Sequence, residues 1–287
     1  MAFWVDYANP TLGTFVPTVD GSSISTTEVS SSTQAVVFSS GQASVQVRYK
    51  DLGQIQLELK DADIRGASSA YVVQPADFVV MLIEDSSGTA NPGANTMAGS
   101  GFVAAGESFT VEVEVRDRQG SITPNYGSET SLEGLTIISG NLVAPVSGFH
   151  GSSNAGVMDN ALLFSAKSPA GTFENTSVSW DETGIIQLSV SVADGDYLGS
   201  GNVIGTLSNQ VGRFTPAGFV LVSSSVSGSC NNRTYMGEPG LGVSYQVEAR
   251  STGGSVLRKI ICAACKIKRG IYPFVCRRER KFRCQFE

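Results

Sequence analysis

The chain has 287 residues, of which 16% are charged and 41% hydrophobic, with a formal net charge of −6 and a single histidine. Charged residues fall below their usual quarter of a chain and glycine, at 32, exceeds its usual share, so Ser, Thr, Asn and Gly supply the polarity. No apolar run approaches the roughly 18 residues of a transmembrane helix, and the start, Met1-Ala-Phe-Trp-Val-Asp-Tyr, has neither the basic nor the apolar stretch of a secretion signal.

In chain order, the first element to stand out is a strand at Val45, Val47 and Tyr49, apolar at every second position. Ile55, Leu57 and Leu59 against Gln56, Glu58 and Lys60 make the next, and residues 78–83 form a short apolar run of strand length. Phe109, Val111, Val113 and Val115 then alternate with Thr110, Glu112, Glu114 and Arg116, which predicts a half-buried strand. Turn-forming residues follow at 117–120 and in Thr123-Pro-Asn-Tyr-Gly127. Ile186, Leu188, Val190 and Val192 against Gln187, Ser189 and Ser191 give a further strand, closed by Asp194-Gly-Asp196. No amphipathic helix of three turns is legible. Short strands with turns between them and no helical crossovers predict all-β, antiparallel sandwiches of immunoglobulin-like type.

Two blocks occur twice. Val113-Glu-Val-Arg-Asp-Arg-Gln-Gly-Ser-Ile122 returns as Val247-Glu-Ala-Arg-Ser-Thr-Gly-Gly-Ser-Val256, and Asp51-Leu-Gly-Gln-Ile-Gln-Leu57 returns as Glu182-Thr-Gly-Ile-Ile-Gln-Leu188. Repetition at this spacing predicts a tandem array: residues 1–70 as the C-terminal part of one repeat, 71–210 as a complete sandwich, and 211–256 as the start of a third. Residues 71–78 and 211–219 are expected to be equivalent opening strands, with Pro75 and Pro216 tolerated at strand beginnings or edges.

Composition breaks near Val256. Residues 1–256 carry 10 Lys+Arg against 24 Asp+Glu, whereas residues 257–287 carry 10 against 2 together with four of the five cysteines. Where the repeat calls for a turn like 123–127, the chain reads Leu257-Arg-Lys-Ile-Ile-Cys-Ala-Ala-Cys265. Residues 257–287 are therefore expected not to be native to the third repeat, and a shifted reading frame accounts for the abruptness, the charge and the cysteines together. Cys262-Ala-Ala-Cys265 has the half-site spacing of a zinc site, with Cys276 and Cys284 as the other pair, but seven residues between the latter two is not a knuckle spacing. The cluster Arg277-Arg-Glu-Arg-Lys-Phe-Arg283 resembles a nucleic-acid or membrane-surface tail; short basic clusters arise readily, and no nucleic-acid partner is expected.

Val211-Gly-Arg-Phe-Thr-Pro-Ala-Gly-Phe219, Cys230, and Thr234-Tyr-Met-Gly-Glu-Pro-Gly-Leu-Gly-Val-Ser-Tyr-Gln-Val-Glu-Ala-Arg250 resemble the repeat signature of the MshQ-like family. Tyr71-Val-Val-Gln-Pro-Ala-Asp-Phe78, Ala104-Ala-Gly-Glu-Ser-Phe-Thr-Val111 and Trp180-Asp-Glu-Thr-Gly-Ile-Ile186 extend the likeness over most of residues 35–256. These are large extracytoplasmic proteins of biogenesis of the mannose-sensitive haemagglutinin (MSHA) type IV pilus, with a C-terminal domain of unknown function. The resemblance implies a non-catalytic, pilus-associated or cell-surface role, an extracytoplasmic or outer-membrane-associated parent protein, and pilus components or glycans as partners. It carries over no catalytic residue. The family's chains are longer at both ends, and residues 257–287 have no counterpart there.

The residues themselves yield little chemistry. His150 sits in the glycine-rich stretch 148–154 without a nucleophile elbow, and neither a phosphate loop nor a dinucleotide fingerprint is present. Asp61 with Asp63, and Asp194 with Asp196, follow repeat strands at a spacing that can ligate calcium, although Asp is also a common turn former. Asn175-Thr-Ser and Asn232-Arg-Thr match the glycosylation pattern. Trp4 and Trp180 are the only tryptophans available to a glycan site, and Trp180 suits a core equally well. The reading is thus a structural or adhesive surface protein. The alternative is an accessory β-sandwich region of an extracellular polysaccharide-degrading or sugar-binding protein.

Overall fold

The computed structural model describes residues 1–145, 156–227, 236, 242–258, 275–276 and 282–285. Every regular element among them is a β-strand, and every pair of named strands is antiparallel. The first unit contains β1 (Ala2–Asn9), β2 (Thr18–Val19), β3 (Ser22–Ser23), β4 (Val47–Arg48), β5 (Gly53–Asp61), β6 (Ile64–Ala67) and β7 (Tyr71–Val73). Its main sheet runs β1-β5-β6, with β7 also on β5, and β3-β2-β4 form a small second sheet.

The central sandwich is built from β8 (Asp77–Asp85), β9 (Ser108–Arg116), β10 (Leu135–Ala144), β11 (Met158–Asp159), β12 (Ser165–Lys167), β13 (Thr172–Trp180), β14 (Gly184–Val192) and β15 (Val211–Phe214). One sheet is β11-β13-β9-β8 with β12 on β13; the other is β10-β14-β15. The period-two pattern of β9 turns Phe109, Val111, Val113 and Val115 inward, where Ile186, Leu188, Val190 and Val192 of β14 belong to the same core. Each such side chain contributes about 1.5–3 kcal/mol on full burial. Trp180 lies wholly inside, edge-on to Phe214 at 4.9 Å.

Repetition in sequence becomes repetition in register. β5 pairs Gly53 with Val73 and Ile55 with Tyr71, and β14 pairs Gly184 with Phe214 and Ile186 with Val211. The Ser68 hydroxyl accepts the Leu57 N–H at 3.0 Å, as the Ser208 hydroxyl accepts that of Leu188 at 2.9 Å. Gly53 and Gly184 share a positive φ, and a Cβ on either would run into the carbonyl oxygen of Asn9 or Ala144. The segments expected to be opening strands are indeed equivalent, but the structure divides each. Tyr71–Val73 and Val211–Phe214 close the preceding sheet, and the chain begins the next unit only after Pro75 and Pro216.

The third unit comprises β16 (Gly218–Ser227), β17 (Gly242–Arg250), β18 (Val275–Cys276) and β19 (Phe282–Gln285), in the order β16-β17-β19-β18. β19 takes the place that β13 holds beside β9: Phe282 is opposite Val247 as Phe173 is opposite Val113. Two short strands of the basic tail thus lie in the third sheet, on the strand edge that the sequence leaves open.

Candidate functional site at the first domain junction

Three residues, Gln74, Pro75 and Ala76, join β7 to β8, so the first two units meet directly. The turn before β5 is the centre of the contact. Leu52 is buried in the core of the central sandwich although it precedes β5 of the first unit. Beside it the Asp51 carboxylate is buried, with Oδ1 accepting the Leu52 N–H at 3.0 Å and the Asn125 N–H at 3.2 Å across the junction. Asn125 uses all its side-chain capacity. Its amide donates to the Tyr49 hydroxyl at 3.0 Å and the Leu52 carbonyl at 3.2 Å, and its oxygen accepts the Thr14 N–H and hydroxyl at 3.2 and 2.9 Å. Thr130 N–H donates to Asn9 Oδ1 at 2.8 Å nearby.

Removal from water disfavours a charged carboxylate, and burial pushes the Asp51 acid up to about 6 against the pull of its two backbone donors. Its Oδ2 is buried without a hydrogen-bond partner. Glu129, buried with its oxygens accepting the Tyr197 hydroxyl at 3.0 Å and the Gly127 N–H at 2.8 Å, is also raised, chiefly by burial. Tyr49, Tyr126 and Tyr197 are raised for the same first reason.

Over this node opens a cleft of about 940 Å³. Arg48, Tyr49, Asp51 and Tyr71 line it from the first unit, Gln74 and Pro75 from the link, and Arg118, Gln119 and Asn202 from the central sandwich. Arg48 donates to the side-chain oxygen Oε1 of Gln119 at 3.0 Å, and the Gln74 amide donates to the Ser200 backbone carbonyl and hydroxyl at 2.7 and 2.8 Å. Guanidinium, carboxamide, carboxylate and phenol groups around apolar walls can hold a hydroxyl-rich ligand.

The same carboxylate position is used at the second junction. Glu182, 131 residues after Asp51, accepts the Thr183 N–H at 2.9 Å and the Arg258 N–H at 2.8 and 3.1 Å. Ala105, Ala249 and Leu257 pack together there, and Thr252 N–H donates to the Ala105 carbonyl at 2.9 Å. Sequence reading missed these junction residues. The acid retained at the head of the Asp51 and Glu182 repeat blocks was the available signal.

The residues singled out from sequence lie elsewhere. Asp61 is exposed, 3.9 Å from the amino terminus, and Asp63 is exposed in the turn between β5 and β6. Asp194 Oδ1 accepts the Asp196 N–H at 3.0 Å and Asp196 Oδ1 the Gly201 N–H at 2.6 Å, so both serve their own loop. Among the described residues no three His, Cys, Asp or Glu side chains are grouped to share a metal ion. Cys276 and Cys284 are register partners between β18 and β19, while Cys262, Cys265, Cys230, Asn232 and His150 lie outside the described residues, as does most of the basic cluster. Trp4 is partly buried on β1 and Trp180 is core, so the tryptophans form no exposed platform.

Three consecutive family models match: the first Ig-like domain of DUF6701, a domain of unknown function, over residues 1–74, its second domain over 74–176 and its third over 182–259. The chain belongs to the DUF6701 family. No curated protein and no solved structure matches it. The second-domain match ends within β13 and the third-domain match begins in the turn before β14, a stretch that the central hydrophobic core spans without interruption. Among the described residues no helix is long and apolar enough to cross a membrane.

Proposed function

We propose that this chain is part of a non-catalytic cell-surface or pilus-associated protein with a structural and adhesive role in biogenesis of an MSHA-type type IV pilus. The observation that supports the reading is the repeated junction. Direct packing and a buried carboxylate join successive Ig-like units at Asp51 and again at Glu182, where a flexible linker would leave them independent. Such joints suit a protein that holds a surface at a distance, and the parent protein acts outside the cytoplasm. Deleting the gene in its host should abolish surface pili and mannose-sensitive haemagglutination, with restoration by the intact gene. Normal piliation and haemagglutination in the deletion strain would remove the proposal.

The junction cleft favours a second reading, an accessory sugar-binding region of an extracellular polysaccharide-degrading protein. Tyr49, Tyr71, Arg48, Arg118 and Asn202 converge there with the chemistry of saccharide contacts. Titration of the chain with neutral and uronic-acid oligosaccharides, compared with an Arg118→Ala variant, separates the two. Saturable binding lost in the variant supports this second reading.

A further inference from the structure

β15, the strand by which the chain leaves the central sandwich, is gripped on both edges. On one edge it pairs with β14, Gly184 with Phe214 and Ile186 with Val211. On the other lies the connection between β8 and β9, which crosses to this sheet before β9 begins. Phe102 N–H donates to the Arg213 carbonyl at 2.9 Å, Thr215 N–H to the Val103 carbonyl at 3.0 Å and Ala105 N–H to the Thr215 carbonyl at 2.8 Å, with Ala104 and Thr215 bridged in parallel. Earlier in the same connection Ala94 N–H donates to the Gly212 carbonyl at 3.3 Å. The Asn91 side chain donates to the Gln210 carbonyl at 2.8 Å and accepts the Gly212 N–H at 3.0 Å.

Side chains fix the segment in place. Phe102 is edge-on to Phe214 at 6.0 Å and to Phe109 at 5.8 Å, and Val103 and Ala105 are buried. Where the segment ends, Gly106 N–H donates to the Trp180 carbonyl at 2.7 Å, and Thr252 N–H of the third unit donates to the Ala105 carbonyl at 2.9 Å.

We propose that the connection over residues 91–105 is a mechanical clamp, which makes the central sandwich a load-bearing unit when the chain is pulled from its ends. Tension enters at the start of β8 through Gln74-Pro75-Ala76 and leaves at the end of β15 through Thr215. Both strands are drawn along their own axes. Antiparallel ladder bonds lie across the strand, so such a pull loads them together, whereas peeling breaks them one at a time. β8 resists with eight register pairs on β9, but β15 has three on β14. The six hydrogen bonds of the connection reinforce this short strand and its exit. They also lead through unbroken backbone into β9, the partner of β8, so load passes between the two sheets without relying on side-chain packing alone. The clamp is a property of the chain itself, whichever of the two readings above holds.

Constant-force stretching of the full chain, tethered at its two ends, tests this. Unfolding of the central sandwich is recognised by the roughly 450 Å released as residues 77–214 extend, at about 3.3 Å per residue. Asn91→Ala deletes two bonds of the clamp and lies outside the hydrophobic cores. Ser189→Ala deletes the buried bond from the Ser189 hydroxyl to the Gly205 carbonyl at 2.6 Å, away from the pulled strands. Forced unfolding is governed by the unfolding rate, so Asn91→Ala should raise that rate under load about tenfold. Ser189→Ala should leave it within about twofold, although both variants lower stability in denaturant. Thr215→Pro removes the N–H given to Val103 and should act as Asn91→Ala does; it carries the test if Asn91→Ala fails to fold. Equal acceleration by Asn91→Ala and Ser189→Ala overturns the proposal, as does an unmoved rate in either clamp variant. So does a parent chain in which the first or third unit outlasts the central one under load.

Discussion

Asp51 shows how a single residue couples two domains and a proton. Its carboxyl is held at about 6 against an ordinary 3.8, so between those values the folded chain binds more protons than the unfolded one. Stability from this group therefore falls as pH rises from about 4 to 6 and stays lower above that. Asp51→Asn keeps the acceptor for Leu52 and Asn125 and removes the titration. In denaturant unfolding, the variant should gain on the parent by about 2 kcal/mol between pH 4 and pH 7, from roughly 1.4 kcal/mol per pKa unit. Parallel pH profiles for the two proteins would refute the assignment. Glu129, also raised by burial, slopes the parent's profile in the same sense and is unchanged by the substitution.

At the scale of elements, β9 has two faces with different stakes. Val113 is fully buried and Val113→Asp, which places a carboxylate in the core, should unfold the central sandwich; Glu114, ion-paired with Arg116 at 2.6 Å toward solvent, should cost about 1 kcal/mol or less as alanine. Circular dichroism and melting of the two variants check this, and a folded Val113→Asp protein would contradict the inward placement of that face. The repeated glycines give a sharper comparison. Gly205→Ala forces β8 away from β14 and should lower stability by roughly 1–3 kcal/mol, while Gly66→Ala should change it little. Equal losses at the two positions would mean that β6 is as tightly covered as its counterpart. The alternation of β5, β9 and β14 was legible in sequence because one buried face imposes a period of two. β10 was not, since its ladder skips at Ser139 and Leu142 and breaks the pattern.

For the whole molecule the decisive contact is Leu52, a first-unit residue inside the central core. Leu52→Ala should cost about 2–4 kcal/mol and split a single unfolding transition into two, since the first unit then loses its anchor; a calorimetric trace with one unaltered peak would show that Leu52 does not couple the units. Calcium should leave the melting curve unmoved, because the Asp194 and Asp196 oxygens already serve backbone donors. Asp194→Ala should lower stability by about 1 kcal/mol with or without the ion, and a calcium-dependent rise in melting temperature lost in that variant would restore the metal reading. For the tail, translation of the coding DNA beyond the codon for Val256 in the other two frames should recover a turn-rich, acidic, alternating continuation. A continuation in neither frame would make the pairing of Phe282–Gln285 with β17 the native arrangement.

By itself the sequence determined the class of the fold and the repeat. Alternation of Val, Ile and Leu with polar residues encodes half-buried strands, and copied blocks 131 and 134 residues apart encode copied units. Only the tertiary structure decided where each unit ends and what joins them. Asp51, Asn125 and Glu182 each stand two residues before a glycine, and a polar side chain so placed looks the same in sequence whether it faces water or a neighbouring domain. Burial alone separates the two cases, and burial is a property of contacts between segments far apart in the chain. For the same reason Phe78 and Phe219, alike in sequence, differ in the fold: Phe78 is fully buried beneath a second sheet, and Phe219 is exposed among the described residues.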